Sequence, residues 1–526
     1  MLDKPLCTTM AGSVEGGSDS RESDVVVSMS ETRQTGYRGR DKIAAVLDDF
    51  DRRYRAVSSR DARFDGWFFT AVTSTRIYCR PSCPAATPKR ENVRFYPTAA
   101  AAQAAGFRAC LRCRPDAAPG SPEWLGRTDL AARAVRLILD GTVDREGVHG
   151  LARRLGYSQR QLHRLLVAEV GTGALALARA QRAQTARILL QTTELPIAGV
   201  AHAAGFASVR QFNDTVRTVF GRTPRELRRR HGALAPGDGQ RISLRLAHRA
   251  PFAASELLAF LGARAVPGVE SFDGETYRRS LRLPNGDGWV ELAPGDGTSM
   301  RAVFALDDLR DLTVAIARCR QLMALDADPI AADAALARDP MLRPLVRRRP
   351  GLRVPGGIDG FEVAVRAVIG QQVSVAGART VAATLVGAAG RRLASPAAPI
   401  THTFPSPAAV ADLAEREPRR FPMPGARRRA LAALATATAS GDLVLDRGND
   451  PAELRARLLA LRGMGPWTAD YIAMRALCDP DAFLPTDLGV RRALRRLGAS
   501  EAPARLAERW RPWRAHAVAH LWTMPA

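Results

Sequence analysis

The sequence predicts a multidomain protein, mainly α with α+β parts, and three observations lead there. The chain has 526 residues, which at roughly 150 residues per domain makes three or four units. Its hydropathy pattern changes character along the chain. A short aromatic, strand-like segment at 66–72 is followed by helical periodicity to about residue 230, strand-like alternation from 242 to about 303, and helical periodicity again from 309, broken at Pro340, Pro355, the Pro-rich stretch 396–407 and Pro466. Pro, Gly and Ser cluster at 115–122 and Gly, Ala and Pro at 232–240, as linkers do.

Composition bounds the function class. With 46% apolar and 25% charged residues, and no apolar run of the roughly 18 residues a bilayer span needs, a membrane protein is excluded. The first 42 residues lack the order of a secretion signal and read as a disordered extension, 1–42. Seven cysteines, an odd and small number, argue for a reducing compartment, hence a cytoplasmic protein. Lys and Arg total 77 against 53 acidic residues, a net charge of +24, which makes nucleic acid the leading partner. Lys4, Lys42 and Lys89 are the only lysines. Codon usage accounts for most of that bias, yet it also leaves the chain almost without amine nucleophiles.

The first unit, 43–118, carries Cys79-x3-Cys83 and Cys110-x2-Cys113 with 26 residues between the pairs. Two short pairs returned to one place suit a closed tetrahedral zinc site, one Zn²⁺ on Cys79, Cys83, Cys110 and Cys113; Cys7, Cys319 and Cys478 have no such spacing. The runs Thr-Arg-Ile-Tyr-Cys-Arg-Pro-Ser-Cys at 75–83, Glu-Asn-Val-Arg-Phe-Tyr at 91–96 and Ala-Gly-Phe-Arg-Ala-Cys-Leu-Arg-Cys-Arg-Pro at 105–115 closely resemble the small α+β zinc domain of Ada-type alkylation-response proteins. That resemblance implies that Cys79 is both zinc ligand and acceptor of a methyl group from a methylated DNA phosphate, and that Thr75 and Arg112 contact phosphate. As residues, Thr75 and Arg112 read equally as surface polar groups. Four thiolates on Zn²⁺ carry a double negative charge, and methylation of one removes half of it, so DNA binding is expected to strengthen on methylation.

The second unit, 124–231, contains an internal repeat. Leu-Ala-Arg-Arg-Leu-Gly-Tyr-Ser at 151–158 and Val-Ala-His-Ala-Ala-Gly-Phe-Ala-Ser at 200–208 each read as helix, glycine turn and N-cap, and each following helix runs to a glycine 13 residues after the cap, Gly171 and Gly221. Helical spacing turns Leu162, Leu165 and Leu166 inward and leaves Gln159, Arg160 and Arg164 outward, with Arg210, Asn213 and Arg217 outward in the second unit. These side-chain types read base edges or hold phosphates. With Phe-Gly-Arg-Thr-Pro-Arg-Glu-Leu-Arg at 220–228, the repeat resembles the all-α AraC/XylS tandem helix-turn-helix domain. The resemblance implies a transcription activator acting on promoter DNA, with RNA polymerase a further partner. Two tandem units remove the usual need for a dimer, so a monomer is expected. His163 and His202 read as surface or packing residues.

After a linker at 232–241 come two further units, 242–325 and 326–526. Leu-Arg-Gly-Met-Gly-Pro-Trp-Thr-Ala-Asp at 461–470 places Gly463 and Gly465 in a hairpin between helices, where backbone N–H groups can approach a phosphate. This run, with Phe-Leu-Pro-Thr-Asp at 483–487, Phe361 to Ser374, Leu261 to Glu270 and the Trp-rich ending, resembles an AlkA-type 3-methyladenine DNA glycosylase of the HhH-GPD superfamily. The implied fold is an α+β amino-terminal subdomain followed by an all-α helix-hairpin-helix domain. Asp487 becomes the catalytic carboxylate, a role compatible with its plainer reading as an N-cap. Trp467, Tyr471, Trp522 and Phe260 match aromatic base-pocket positions, although Tyr471 and Phe260 read equally as core. Electron-rich rings there favour a cationic base. Gln372 falls where the family carries an apolar wedge that fills the gap left by a flipped base.

No lysine follows Lys89, so a lysine-dependent strand-cutting lyase is excluded from the carboxy-terminal half, and neither late cysteine has the setting of an alkylguanine methyltransferase. The expected function is alkylation repair and response. A monofunctional glycosylase, needing no cofactor for its chemistry, is joined to a zinc methyl acceptor and a transcription regulator, placed by the resemblance at a bacterial nucleoid. One rival is a regulator whose glycosylase half only binds DNA; another is a zinc-stabilised repair enzyme with no regulatory role.

Overall fold

The computed structural model describes residues 50–115, 129–229, 241–416 and 423–524. The amino-terminal extension, Cys7, the 232–240 linker and most of the 115–122 stretch lie outside the described residues. Among the described residues no helix is long and apolar enough to cross a membrane.

The first unit begins with α1 (Phe50–Ser58) and builds a four-stranded sheet in the order β3-β1-β2-β4 from β1 (Phe69–Val72), β2 (Ile77–Cys79), β3 (Val93–Tyr96) and β4 (Arg108–Ala109), with α2 (Ala99–Ala104) between the last two. β1 pairs antiparallel with β2 and β3, while β4 lies parallel to β2. That parallel pairing brings the end of β4, where Cys110 follows, beside Cys79 at the end of β2. Tyr78, fully buried between the cysteine and Ile77, pins β2 in the core.

Among the described residues seven helices follow: α3 (Leu130–Leu139), α4 (Thr142–Leu155), α5 (Gln159–Val170), α6 (Ala174–Thr192), α7 (Ile197–Ala203), α8 (Val209–Phe220) and α9 (Pro224–Arg229). The repeat folds as its residues dictate. Gly156 and Gly205 take left-handed backbone, φ +76° and +79°, which costs other residues energy. Ser158 and Ser208 then accept from the N–H of Gln161 and Gln211, and at Ser158 the Gln161 side chain bonds back to close a capping box. Gly171 and Gly221 end α5 and α8, again with positive φ. The long α6 packs against both helix-turn-helix units and against α2 of the first unit.

The third unit is a five-stranded antiparallel sheet in the order β5-β9-β8-β7-β6, made of β5 (Arg241–Ala247), β6 (Glu270–Phe272), β7 (Tyr277–Arg282), β8 (Asp287–Pro294) and β9 (Ser299–Leu306). The strand-like reading of 242–303 needs one correction, because α10 (Ala254–Gly262) interrupts it. Leu257, Leu258 and Leu261 recur at helical spacing and are all buried against the sheet. α11 (Leu312–Leu322) completes this layer.

The remaining helices are α12 (Pro329–Leu336), α13 (Arg343–Arg348), α14 (Gly360–Ile369), α15 (Val375–Ala389), α16 (Pro407–Arg416), α17 (Gly425–Ala439), α18 (Pro451–Ala460), α19 (Pro466–Ala476), α20 (Leu488–Arg496), α21 (Pro503–Leu506) and α22 (Arg514–Trp522). They form two cores, one around α14 to α19 and one around α12, α13, α20 and α22, with α19 facing both. A second correction falls inside the helical half: 396–407 is more than a break. β10 (Arg392–Ala397) and β11 (Ile400–His402) form a hairpin whose Leu393 and Ile400 cover Trp289 of β8. The Trp289 indole N–H donates to the Ser395 carbonyl at 3.2 Å, so a partner far along the chain selects this hairpin.

The units are docked rather than strung. One continuous buried cluster runs from Phe69, Tyr78 and Phe107 through Leu189, Phe212 and Phe220 to Leu257, Phe304 and Cys319. Arg249, itself buried, donates to the Asp65 carbonyl at 2.7 Å and to the Asp326 carbonyl at 3.1 Å. On the other side α3 lies on the 446–448 loop: Arg133 donates to the Gly448 carbonyl, Arg136 to that of Arg447 at 3.0 Å, and a β-carbon on Gly448 would sit 2.6 Å from a Leu137 methyl.

Candidate functional site

Between the two helical cores opens a cleft of about 1400 Å³ whose lining includes Phe260, Arg264, Trp467, Tyr471, Asp487 and Trp522. The four aromatic residues singled out in the sequence therefore meet around Asp487. Trp467 stacks on Tyr471 with ring centroids 5.2 Å apart, Trp522 stacks on Phe260 at 5.8 Å, and Tyr471 and Trp522 face each other at 6.4 Å, tilted. All four are half-buried, which places them on a wall and not within a sealed core.

Asp487 is the N-cap of α20 and also the polar centre of this cleft. One carboxylate oxygen accepts from the Val490 N–H and from the Trp522 indole N–H, both at 3.0 Å; the other accepts from the Trp467 indole N–H, also at 3.0 Å. Three donors and the positive end of a helix fix the orientation of the anion. The two indoles thus act twice, as aromatic surface and as clamps on the carboxylate.

Gly463 and Gly465 form the turn between α18 and α19. Gly463 has φ +91° and packs so closely that a β-carbon would lie 2.7 Å from that of Ala430, whereas a β-carbon on Gly465 would meet nothing within 4 Å. The hairpin is thus tight on its inner side and open on its outer side. Arg455 to Asp470, at 2.5 Å, ties the two helices together. Gln372 sits at the mouth of the cleft, exposed, with φ +56°. Its neighbour Gln371 is anchored to Thr468 at 3.0 Å and to the Gly463 carbonyl at 3.2 Å.

Three cleft features escaped the sequence reading. The Arg264 guanidinium lies 3.6 Å from the Phe260 ring centroid, and that of Arg475 lies 5.3 Å from Phe260 and 5.6 Å from Tyr471. Leu488, next to Asp487, is 65% exposed at the rim. Each arginine follows its aromatic partner by four residues, the spacing that brings side chains together on a helix, and that spacing was the available signal.

In the first unit the four cysteine sulfurs lie within 4.8 Å of one another. Hydrogen bonds to Cys110 and Cys113 push the Cys79 thiol far up, whereas Cys110, bonded to Cys113 and Cys79, is held far down. Such crowding leaves no way for four thiolates to coexist without a cation between them, and a closed set of four soft sulfur donors fits Zn²⁺. Asp65 accepts from the Ser82 N–H at 3.0 Å and its hydroxyl at 2.6 Å, bracing the turn that holds Cys83. Thr75, in the turn before β2, and Arg112, between the second cysteine pair, are both exposed. In the helical unit Gln159, Arg160, Arg164, Arg210 and Arg217 are exposed and Asn213 is half-buried, while Leu162 and Leu166 are fully buried and Leu165 partly so. The structure does not gather these six with the cleft residues; they stand on α5 and α8.

Comparison with known proteins gives three family models: the metal binding domain of Ada at residues 52–116, a helix-turn-helix domain at 151–230 and the AlkA N-terminal domain at 243–359. The chain is 55% identical over 482 residues to a Mycobacterium tuberculosis protein named probable bifunctional transcriptional activator/DNA repair enzyme AlkA, covering 90% of this chain and 96% of that one. It is 34% identical over 273 residues to DNA-3-methyladenine glycosylase 2 of Escherichia coli, 52% of this chain and 94% of the relative. The bifunctional transcriptional activator/DNA repair enzyme Ada of Escherichia coli is 35% identical over 206 residues, 39% of this chain and 54% of its own length.

Proposed function

Because the chain belongs to the family of bifunctional transcriptional activator/DNA repair enzymes AlkA, and its carboxy-terminal half to the DNA-3-methyladenine glycosylases, we propose that it removes alkylated bases from DNA and couples that repair to a methylation-sensing, promoter-binding half. The observation that carries the repair function is the Asp487 carboxylate held by two indoles in an aromatic cleft. A flipped N-alkylated purine already carries positive charge and departs readily. As the N-glycosidic bond breaks, the electron pair leaves with the base and the sugar becomes an oxocarbenium-like cation, which an oriented anion stabilises. Water then adds to the sugar carbon and gives up its proton to bulk solvent. This division of labour needs one carboxylate and no amine, in keeping with a chain whose last lysine is Lys89.

In the first unit Cys79, Cys83, Cys110 and Cys113 would hold Zn²⁺, which when bound keeps sulfurs as thiolates at neutral pH. The Cys79 sulfur would then attack the methyl carbon of a methylated phosphate, forming a C–S bond as the C–O bond breaks and the phosphodiester leaves. Thr75 and Arg112 are each exposed and would hold that phosphate. The tandem units, through Gln159, Arg160, Arg164, Arg210, Asn213 and Arg217, would read promoter DNA as a monomer and present the chain to RNA polymerase. Gln372, Gly463 and Gly465 would hold the damaged duplex. The rival reading, a regulator whose carboxy-terminal half only binds DNA, explains Asp487 as a helix cap but gives no role to the two indole donors that converge on it.

Two measurements test this. Duplex DNA treated with a methylating agent should yield free 3-methyladenine with the full chain. Mass spectrometry of the protein after exposure to methylated DNA should show one added methyl on Cys79; an unmodified Cys79 would end the sensor half of the proposal.

A further inference from the structure

Several arginines line the cleft that would receive a cationic base, and the two that lie on its aromatic rings, Arg264 and Arg475, are not alike. Arg475 is fully engaged: its three nitrogens donate to the Pro355 carbonyl at 2.5 Å, the Gly356 carbonyl at 3.1 Å and the Tyr471 hydroxyl at 2.8 Å. Arg264 makes one hydrogen bond, from Nη1 to the Phe260 carbonyl at 3.2 Å. Its Nε and Nη2 have no partner among the described residues, and Arg264 lines the cleft.

Arg264 is also held in place. Its guanidinium lies on the Phe260 ring at 3.6 Å, and its backbone carbonyl accepts from Arg366, which in turn is fixed by Glu270 and Glu362 at 2.9 Å each. Burial lowers its pKa only to about 10, so it is charged at neutral pH. Two chemical consequences follow. The face of Phe260 that would attract a cationic base is occupied by a resident cation. And a fixed, charged guanidinium in the cleft donates to a carbonyl oxygen but opposes an amino group, because two donors cannot bond to each other.

We infer that Arg264 is a specificity-determining residue of the cleft, favouring lesions that present a carbonyl oxygen to it over lesions with an amino group at the same ring position. This rests on the glycosylase reading above. The matched pair is 3-methylhypoxanthine and 3-methyladenine, alkylated at the same nitrogen and differing at C6 by oxygen against amine, with hydrogen at C2 in both.

The test uses the full chain and duplex DNA containing deoxyinosine as well as adenine, treated with a methylating agent, with each free base quantified under single-turnover conditions. Arg264→Met, which keeps the stem and removes the donors, should lower the ratio of 3-methylhypoxanthine to 3-methyladenine release by about tenfold or more, the scale of a charged hydrogen bond. Arg264→Lys should give an intermediate ratio. A ratio within about twofold of wild type in Arg264→Met, even with both rates reduced, would show that Arg264 only props Phe260 and would overturn the inference. Should Arg264→Met fail to fold, as judged from its melting curve, Arg264→Gln is held to the same ratio. Wild-type protein that releases neither base would instead overturn the glycosylase reading itself.

Discussion

On the proposed reading Asp487 carries the chemistry of the carboxy-terminal half in one side chain, and its neighbours show how little needs to change to remove it. Asp487→Asn keeps the volume and an oxygen acceptor but removes the anion, so base release should fall by about a hundredfold or more while the protein still folds; the free-base assay checks it. Its double identity was partly legible, since an Asp after Pro485 reads as an N-cap, but the indole clamps arise only when α19 and α22 converge on α20. Elsewhere a histidine records the cost of burial. His516 is buried, its Nδ1 has no partner, and desolvation with the nearby His520 pushes its pKa down to about 4. The unfolded chain takes up that proton near pH 6.5 and the folded one does not. The resulting stability is whole above pH 6.5 and drains away as the pH falls toward 4, by up to about 3 kcal/mol. Urea unfolding across that window should show the slope, and His516→Leu should flatten it. Glu270 behaves conversely: burial opposes its charge, yet Arg366 and Arg279 outweigh burial and hold the carboxyl below its usual range. Its contribution is lost only at lower pH, as the carboxyl protonates.

At the level of elements, the tandem units were the most legible part of the chain, because each boundary is fixed locally by a glycine and a serine. Gly156 isolates one term of that design. A β-carbon there would meet nothing within 4 Å, so Gly156→Ala should cost only the left-handed strain, about 1 kcal/mol, measurable as a lowered denaturation midpoint. Gly221→Ala should cost more, since its β-carbon would also lie 2.9 Å from the Arg108 side chain of the first unit. The four cysteines were equally legible, as sequence spacing alone groups them. The β10–β11 hairpin was not, since Arg-Leu-Ala-Ser-Pro-Ala carries no strong alternation and owes its form to Trp289. Nor was the place of Arg264, whose meaning depends on Phe260 beside it and on Arg366 behind it. Local rules determined the elements that close on themselves; long-range packing determined the rest.

Across the whole molecule, the net charge of +24 is shared among parts with different tasks, and the parts are joined by buried surface as well as by linkers. The cluster that runs from Tyr78 through Phe212 to Phe304 predicts that the zinc unit, the tandem units and the sheet unfold together. Calorimetry should show one main transition for them, and Arg249→Met, aimed at the contact between the sheet and the zinc unit, should split or broaden it. Cleavage of the chain within 230–240 should leave two fragments that co-elute, where simple tethering would let them separate. Docking of this kind replaces a tether's cloud of positions by a single offset. If the tandem units occupy an operator, the cleft that holds Asp487 reaches the flanking duplex at a set distance and a set angle. Excision of lesions placed at successive positions beside the operator should therefore rise and fall with a period of about 10 base pairs, the turn of the double helix, as the damaged base rotates toward and away from the cleft.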